Sequence, residues 1–174
     1  MPQEIYLFHG KGGSPAGSVS VLEKELRRSL GNANYARPVL LHNDPTVLAE
    51  HSLAQLTNLG IPSSATIIGV SLGGLIAARL QEISRQDLTV ICVSSPTWAD
   101  GVRLERPMQR RMSIYSSNDE VIAGRTENWP TLAEAYDIPT LTHDTDQHAS
   151  LLARAITAYL LGNDVNEALK QGRN

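Results

Sequence analysis

Short apolar runs alternate along this chain with longer segments in which apolar residues recur every three or four positions. The short runs predict buried β-strands, and the longer segments predict amphipathic helices. The predicted strands are residues 5–8, 38–41, 65–68, 88–93, 112–115 and 139–142, and the predicted helices are residues 18–30, 44–60, 72–83 and 149–161. This alternation favours an α/β domain built on a mainly parallel sheet.

Length and composition indicate one domain. The 174 residues, 41% of them hydrophobic, are enough to build a single buried core. We expect this domain to cover residues 1–162. Residues 163–174 are predicted to be a polar tail that is frayed helix or disordered. Neither a repeat, a linker nor a second domain is predicted.

Charge and cysteine content narrow the range of partners and compartments. The formal net charge of -3 gives no electrostatic reason to expect a nucleic acid or an anionic membrane as partner. The segment Met1–Glu4 lacks the features of a signal peptide, and no apolar run is long enough to span a bilayer. We therefore expect a soluble, cytoplasmic protein. Cys92 is the only cysteine, which excludes an internal disulfide and a thiolate metal site.

The most specific chemical motif is Gly69-Val70-Ser71-Leu72-Gly73. It follows a predicted β-branched strand directly and precedes a predicted helix directly. A serine at the apex of such a sharp strand-to-helix turn holds its hydroxyl clear of the sheet, and the small flanking residues relieve the crowding of the turn. The pattern is typical of a nucleophile elbow.

With six strands and the nucleophile after the third, the chain resembles a small, lidless serine hydrolase of the α/β-hydrolase superfamily. The resemblance runs from Tyr6-Leu7-Phe8-His9-Gly10 through the Ser71 motif to the helix after His148. It implies a minimal α/β-hydrolase fold with a six-stranded, mainly parallel sheet of order 2-1-3-4-5-6 and helices on both faces. Only residues 95–110 separate the fourth and fifth strands, which predicts that there is no lid domain.

The resemblance also assigns a triad. The acid belongs in the loop after the fifth strand, where Asp119 is the first choice and Glu120 a rival. Asp100, after the fourth strand, is a second rival. The histidine belongs in the loop after the sixth strand, which predicts His148, with His143 as its main competitor because His143 ends the predicted strand.

An oxyanion hole would complete this site. One donor is predicted to be the backbone N–H of Leu72, at the positive end of the elbow helix. The second would come from the loop after the first strand, where the resemblance assigns the N–H of Lys11, with Gly12 as a substitute. In the same loop His9 is interpreted as a brace. Gly10 and Gly12 are predicted to contact substrate.

The expected substrate is a small acyl ester or thioester, and no cofactor or metal is predicted. Trp98 is a candidate wall of the acyl pocket. A cluster of arginines lies in the segment between the fourth and fifth strands and is interpreted mainly as a solvated charged loop, with contact to an anionic substrate as the alternative: Arg103, Arg106, Arg110 and Arg111. The glycine-rich loop around Lys11 does not match a phosphate-binding P-loop.

Two functions are therefore carried forward. The first is a serine hydrolase that forms an acyl-enzyme on Ser71. The second is a catalytically silent α/β-hydrolase fold that serves as a binding or interaction protein, in which Ser71 would be unreactive. A monomer or a weak homodimer is expected, since no residue pattern requires a larger assembly.

Overall fold

The structure, a computed structural model, describes residues 1–108 and 110–171. It contains eight strands, which are β1 (Gln3–Phe8), β2 (Ala33–Ala36), β3 (Thr66–Val70), β4 (Thr89–Val93), β5 (Trp98–Ala99), β6 (Val102–Arg103), β7 (Arg111–Tyr115) and β8 (Glu134–Asp137). The α-helices are α1 (Ser18–Leu30), α2 (Ala49–Thr57), α3 (Leu72–Ile83), α4 (Trp129–Leu132), α5 (Ala149–Leu161) and α6 (Val165–Lys170). Residues Leu41–Asn43 and Thr145–His148 form short 3-10 helices.

Six of these strands form one parallel sheet of order β2-β1-β3-β4-β7-β8. The order confirms the predicted 2-1-3-4-5-6 arrangement, with β7 and β8 as its fifth and sixth strands. Strands β5 and β6 form a separate antiparallel hairpin between β4 and β7, in place of a lid domain. The carboxyl ends of the parallel strands therefore stay open at one edge, where ligands bind in such sheets.

The sheet is covered on both faces, because successive side chains of a strand point to opposite sides and the central strands bury both sets. Ile67 packs in one core with Leu75 of α3 and Trp129 of α4. The next residue, Ile68, packs in the other core with α1 and α5. Every residue of β3 and β7 is buried, including Arg111 at the start of β7, and the other residues of these two strands form runs without a charged side chain.

The prediction of the second strand was wrong. Residues 38–41 are not a strand; β2 lies earlier, at Ala33–Ala36, on the edge of the sheet. The side chain of Gln55 supplies backbone partners to the mispredicted segment, since its amide donates to the Val39 carbonyl at 2.9 Å and its oxygen accepts from the Leu41 N–H at 3.1 Å. Leu40 is fully buried, but in the core beneath the sheet rather than within it.

The sixth strand was also predicted in the wrong place. The edge strand is β8 at Glu134–Asp137, and its pairing with β7 continues to the Ile138 N–H, which donates to the Tyr115 carbonyl at 2.7 Å. Residues 139–142 belong to the loop that follows. This loop begins with a turn, in which the Leu141 N–H donates to the Ile138 carbonyl at 2.9 Å.

Two further differences concern helices. The second helix does not begin at Asp44; it is the shorter α2, and the Asp44 carboxylate instead accepts the Thr46 N–H in a turn at 2.9 Å. The predicted polar tail contains α6, whose first residue Val165 is buried against the core. Residues 172–174 of that tail lie outside the described residues. In the part of the chain that the structure describes, no helix combines the length and apolarity needed to cross a membrane.

Candidate active site

Ser71 stands at the turn between β3 and α3, at the open edge of the sheet. Its backbone adopts φ 53° and ψ −123°, a conformation that non-glycine residues rarely adopt and that is often found at functional sites. The Ser71 N–H donates to the Val93 carbonyl at 2.8 Å, which ties the turn to β4. The serine is thereby held with its hydroxyl directed away from the sheet.

The glycines around Ser71 are required by close packing. A Cβ on Gly73 would lie inside van der Waals contact with the backbone carbonyls of Phe8 and His9, and one on Gly69 would overlap the backbone of Gly73. A Cβ on Gly74 would overlap the Ser95 hydroxyl. Helix α3 therefore begins pressed against β1 and β4, and only glycine fits at these three positions.

His143, not His148, is the histidine that reaches Ser71. Its Nε2 lies 3.0 Å from Ser71 Oγ, and its Nδ1 lies 2.7 Å from Asp119 Oδ2. The carboxylate accepts the Nδ1 proton, so Nε2 is free to accept a proton from the serine hydroxyl. Ser71, His143 and Asp119 thus form one continuous hydrogen-bonded relay in the geometry of a catalytic triad.

His148, the histidine favoured by the sequence, lies elsewhere. Its Nε2 accepts the Thr142 N–H at 3.2 Å and lies 3.0 Å from the Thr142 hydroxyl. It also lines a cavity of about 570 Å³ between β8, α5 and α6 that does not include Ser71. The error follows from the misplaced sixth strand: because β8 ends at Asp137, the chain reaches the site at His143, and His148 ends the short 3-10 helix that precedes α5.

Asp119 lies in the loop after β7, as the sequence predicts. Its side chain is only 1% exposed, and its second oxygen, Oδ1, accepts the Val121 N–H at 3.0 Å. Both carboxylate oxygens are therefore oriented by the fold. The two rival acids are not in contact with the histidine: Asp100 pairs with Lys11, and Glu120 is exposed.

Two backbone N–H groups are available beside Ser71. Leu72 is the first residue of α3, so its N–H has no intrahelical acceptor. Among the described residues, the Lys11 N–H also has no hydrogen-bond partner. The Gly12 N–H is already used, because it donates to the His42 carbonyl at 2.9 Å. Gly10 allows the loop to approach Ser71, as a Cβ there would lie 3.1 Å from Ser71 Cβ.

A buried pair of histidines supports this loop from below. The Leu40 N–H donates to His9 Nε2 at 3.0 Å, so Nδ1 carries the proton and donates to the Gly10 carbonyl at 2.9 Å. His42 Nε2 donates to the His9 carbonyl at 2.8 Å, and its Nδ1 lies 2.8 Å from Ser52 Oγ. The N–H of Leu40 fixes His9 as a neutral imidazole, and the Ser52 hydroxyl can donate to Nδ1 of a neutral His42.

Burial favours the neutral form of both rings. It lowers the pKa of His42, which is fully buried, to about 4, an effect that the hydrogen bond to the His9 carbonyl only partly opposes. Burial also lowers the pKa of His9. Neither ring reaches Ser71, so the two histidines position the loop that carries the Lys11 N–H.

Two small clefts meet at Ser71. The first, which we call the histidine-side cleft, has a volume of about 270 Å³ and is lined by the glycine-rich loop, Ser71 and His143. The second, the helix-side cleft, has a volume of about 220 Å³ and also includes Ser71. Its remaining lining residues are Lys11, Leu72, Pro96, Ala99, Asp100, Val121, Ile122 and Arg125.

The predicted substrate contacts fall in these clefts only in part. Gly10 lines the histidine-side cleft, whereas Gly12 and Trp98 line neither. The ring of Trp98 is instead flanked by the guanidinium groups of Arg103 at 5.7 Å and Arg125 at 5.4 Å. Of these two arginines, Arg125 lines the helix-side cleft and Arg103 lines neither cleft. Arg125 was not among the residues predicted from the sequence.

The arginine-rich segment does not reach Ser71. Arg111 is buried in an ion pair with Glu82 at 3.1 Å, so it is not part of a solvated loop. Arg106 donates to the Glu82 carbonyl at 2.9 Å, and Arg110 lies over the Tyr159 ring. None of the four arginines lines either cleft.

Neither Cys92 nor a cluster of metal-binding side chains lies at this site in the part of the chain that the structure describes. Cys92 is buried in the core, and burial raises the pKa of its thiol to about 12. Within residues 1–108 and 110–171, no group of three or more His, Cys, Asp or Glu side chains is arranged to hold a metal ion.

The sheet order, the elbow and the positions of the acid and the histidine define an α/β-hydrolase fold. Over residues 4–122 the chain matches the family described as Uncharacterised protein family UPF0227, and it belongs to that family. Curated protein sequences gave no match.

Solved structures agree on the fold. A candidate hydrolase of the alpha/beta superfamily from Xanthomonas campestris is similar at 20% identity and a TM-score of 0.65, over 92% of this chain and 99% of that one. XC6422 from the same organism, an α/β serine hydrolase without a lid, is similar at 14% identity and a TM-score of 0.66, over 93% and 83%. Mouse alpha/beta hydrolase domain-containing protein 10 is similar at 11% identity and a TM-score of 0.71, over 91% and 90%.

Proposed function

We propose that this protein is a serine hydrolase that cleaves a carboxylic ester or thioester through an acyl-enzyme on Ser71. The observation that carries the proposal is the relay from Asp119 through His143 to Ser71, with distances of 2.7 and 3.0 Å, at the apex of a nucleophile elbow. The likeness to a lidless serine hydrolase supports the same class of chemistry by analogy of fold.

In the first step, His143 Nε2 accepts the proton of the Ser71 hydroxyl as Oγ attacks the acyl carbon. Asp119 holds the imidazole in the tautomer that exposes Nε2 and stabilises the imidazolium that forms. Its burial and its hydrogen bond from the Val121 N–H keep this carboxylate in one orientation.

The negative charge that develops on the acyl oxygen is stabilised by the N–H groups of Leu72 and Lys11. Two preorganised donors of this kind contribute much of the rate acceleration in acyl transfer, because they need no rearrangement as the charge forms. Only the Lys11 backbone is used, so a lysine side chain at this position is compatible with the role.

His143 then donates its proton to the leaving alcohol or thiol, and the acyl group remains on Ser71. Water, activated by the same imidazole, attacks the acyl-enzyme and releases the acid. Since His143 touches the leaving atom, the leaving group occupies the histidine-side cleft.

The proposal is tested by intact mass spectrometry after treatment with a small fluorophosphonate, together with hydrolysis of p-nitrophenyl butyrate. We expect one covalent adduct and ester turnover for the native protein, and neither for Ser71→Ala. Ser117→Ala, which removes an exposed serine near Asp119, is the matched control and should behave as native. A folded native protein without an adduct would contradict the proposal and favour a binding protein.

A further inference from the structure

The two clefts at Ser71 are not equivalent for an ester. The histidine-side cleft must take the leaving group, because His143 has to reach the leaving oxygen or sulfur. The acyl chain therefore extends in the opposite direction, into the helix-side cleft, which lies beyond Leu72 and does not include His143. The lining of the helix-side cleft then sets acyl specificity.

This cleft is short. Its volume of about 220 Å³ is below the range of about 300–1,000 Å³ that is common for pockets that hold larger organic ligands. The side chains of Leu72, Pro96, Ala99 and Ile122 provide an apolar wall. A chain of a few methylene groups fits these dimensions and this chemistry.

Three charged side chains line the same cleft, and two of them neutralise each other. Lys11 Nζ donates to the carboxylate of Asp100, which belongs to the turn between β5 and β6. Arg125 has no carboxylate partner among the described residues. Among the described residues that line it, the cleft therefore has one positive charge without an acidic partner.

The Arg125 side chain is partly exposed, and two contacts orient it. The Arg125 carbonyl accepts the Thr97 N–H at 2.8 Å and the Thr97 hydroxyl at 3.1 Å, which fixes its backbone. Its side chain donates to the Val121 carbonyl at 3.0 Å and lies 5.4 Å from the centroid of the Trp98 ring. One carbonyl does not use all five donors of a guanidinium, so donors remain for a ligand.

We infer that the helix-side cleft selects short acyl groups that end in a carboxylate, that is, half-esters or half-thioesters of small dicarboxylic acids. This inference rests on the proposed function. Ser71 Oγ attacks the ester carbonyl, and the alcohol or thiol leaves with the proton that His143 took from Ser71. Water then attacks the acyl-enzyme, gives one proton to His143 and releases the dicarboxylate. His143 returns that proton to Ser71 Oγ. Arg125 touches the distal carboxylate only, and so determines specificity without taking part in proton transfer.

The test compares kcat/KM for two synthetic esters of equal length, mono-p-nitrophenyl adipate and its neutral amide, p-nitrophenyl adipamate. Rates are corrected for uncatalysed hydrolysis with Ser71→Ala. We expect the native protein to prefer the adipate by about tenfold, the effect of one charge-assisted hydrogen bond at a partly exposed site. In Arg125→Gln, kcat/KM should fall for the adipate but not for the adipamate, so the preference should disappear. Arg125→Lys should keep part of the preference.

Arg103→Gln is the matched control, because Arg103 also lies against the Trp98 ring, at 5.7 Å, but lines neither cleft. It should keep the native preference. Equal rates for the two esters in the native protein would overturn the inference, as would a preference that survives in Arg125→Gln. Turnover of both esters would in either case leave the proposed function standing, whereas no turnover of any ester would count against the proposed function itself.

Discussion

The floor and the rim of the candidate site are built differently. The floor, formed by Gly69–Gly74, His9 and His42, is closely packed, and its polar groups are hydrogen-bonded inside the protein. The rim, formed by Lys11, Asp100, Arg125 and His143, has side chains that are partly exposed and make a few contacts each, such as the Lys11–Asp100 ion pair and the hydrogen bonds of His143 to Ser71 and Asp119. Lys11 belongs to both regions, with its N–H at the floor and its side chain at the rim.

This difference separates two kinds of requirement. Geometry at the nucleophile tolerates little error, so the floor is specified by close packing and fixed tautomers. Groups that recognise a substrate must be accessible to it, so the side chains of the rim stay partly exposed. Apart from Ser71 itself, substitutions in the floor should therefore be seen first as a loss of stability, and substitutions in the rim as a loss of activity or selectivity in a folded protein.

The largest effect is expected at the rim, at His143. His143→Ala should lower kcat/KM for p-nitrophenyl butyrate by about 10⁴-fold or more, because the serine loses its general base. Thermal unfolding should change little, since the ring is partly exposed. The measurement is ester hydrolysis combined with thermal denaturation.

His148→Ala is the matched comparison for that substitution. It removes contacts with Thr142 but none with Ser71, so activity should stay within a few-fold of native. A large loss in His148→Ala together with normal activity in His143→Ala would reverse the assignment of the histidine.

At the floor, Gly73→Ala should cost about 3 kcal/mol or more of unfolding free energy, or prevent folding. The added methyl group would overlap the carbonyls of Phe8 and His9, which belong to the central sheet and its exit. Gly17→Ala, where the nearest atom would be at an ordinary 3.4 Å, should cost less than about 1 kcal/mol. Urea denaturation checks both, and similar costs at the two positions would remove the proposed contrast.

A pH-dependent effect is expected at His42. Because burial lowers its pKa from 6.5 to about 4, the unfolded chain binds a proton at a higher pH than the folded chain does. The stability that the neutral ring provides is complete above pH 6.5 and is lost as the pH falls toward 4, by up to about 3 kcal/mol. The advantage of native over His42→Gln in urea denaturation should therefore shrink from pH 7 to pH 4.5, and a constant difference would contradict this account.

The smallest effect is expected for the Lys11–Asp100 ion pair of the rim. Its side chains are 34% and 30% exposed, and exposed pairs contribute about 0–1 kcal/mol. A double-mutant cycle with Lys11→Ala and Asp100→Ala should give a coupling energy for unfolding below about 1 kcal/mol, decreasing with added salt. A larger, salt-insensitive coupling would show that this part of the rim is as rigid as the floor.

The sequence predicted the centre of the fold better than its edges. Strands β3, β4 and β7 are buried on both faces, so their apolar or small residues form runs that stand out in the sequence. The edge strands β2 and β8 have alternating, partly exposed residues, and nearby apolar residues such as Leu40 and Leu141 were taken for strand residues instead. The β5–β6 hairpin did leave a signal, since Asp100-Gly101 is a favoured pair for a two-residue turn.

From residue patterns the α/β architecture and the sharp turn at Ser71 could be predicted, because they depend on local periodicity and on steric limits at one turn, and the resemblance to α/β hydrolases then pointed to the loop that holds Asp119. Which histidine faces Ser71, which arginine reaches a cleft and how His42 joins His9 in supporting the glycine-rich loop became visible only in the folded chain. Those choices depend on where an edge strand ends and on contacts between residues far apart in the chain. The sixth strand lies at Glu134–Asp137 rather than at residues 139–142, and this difference brings His143 to Ser71 and His148 to Thr142.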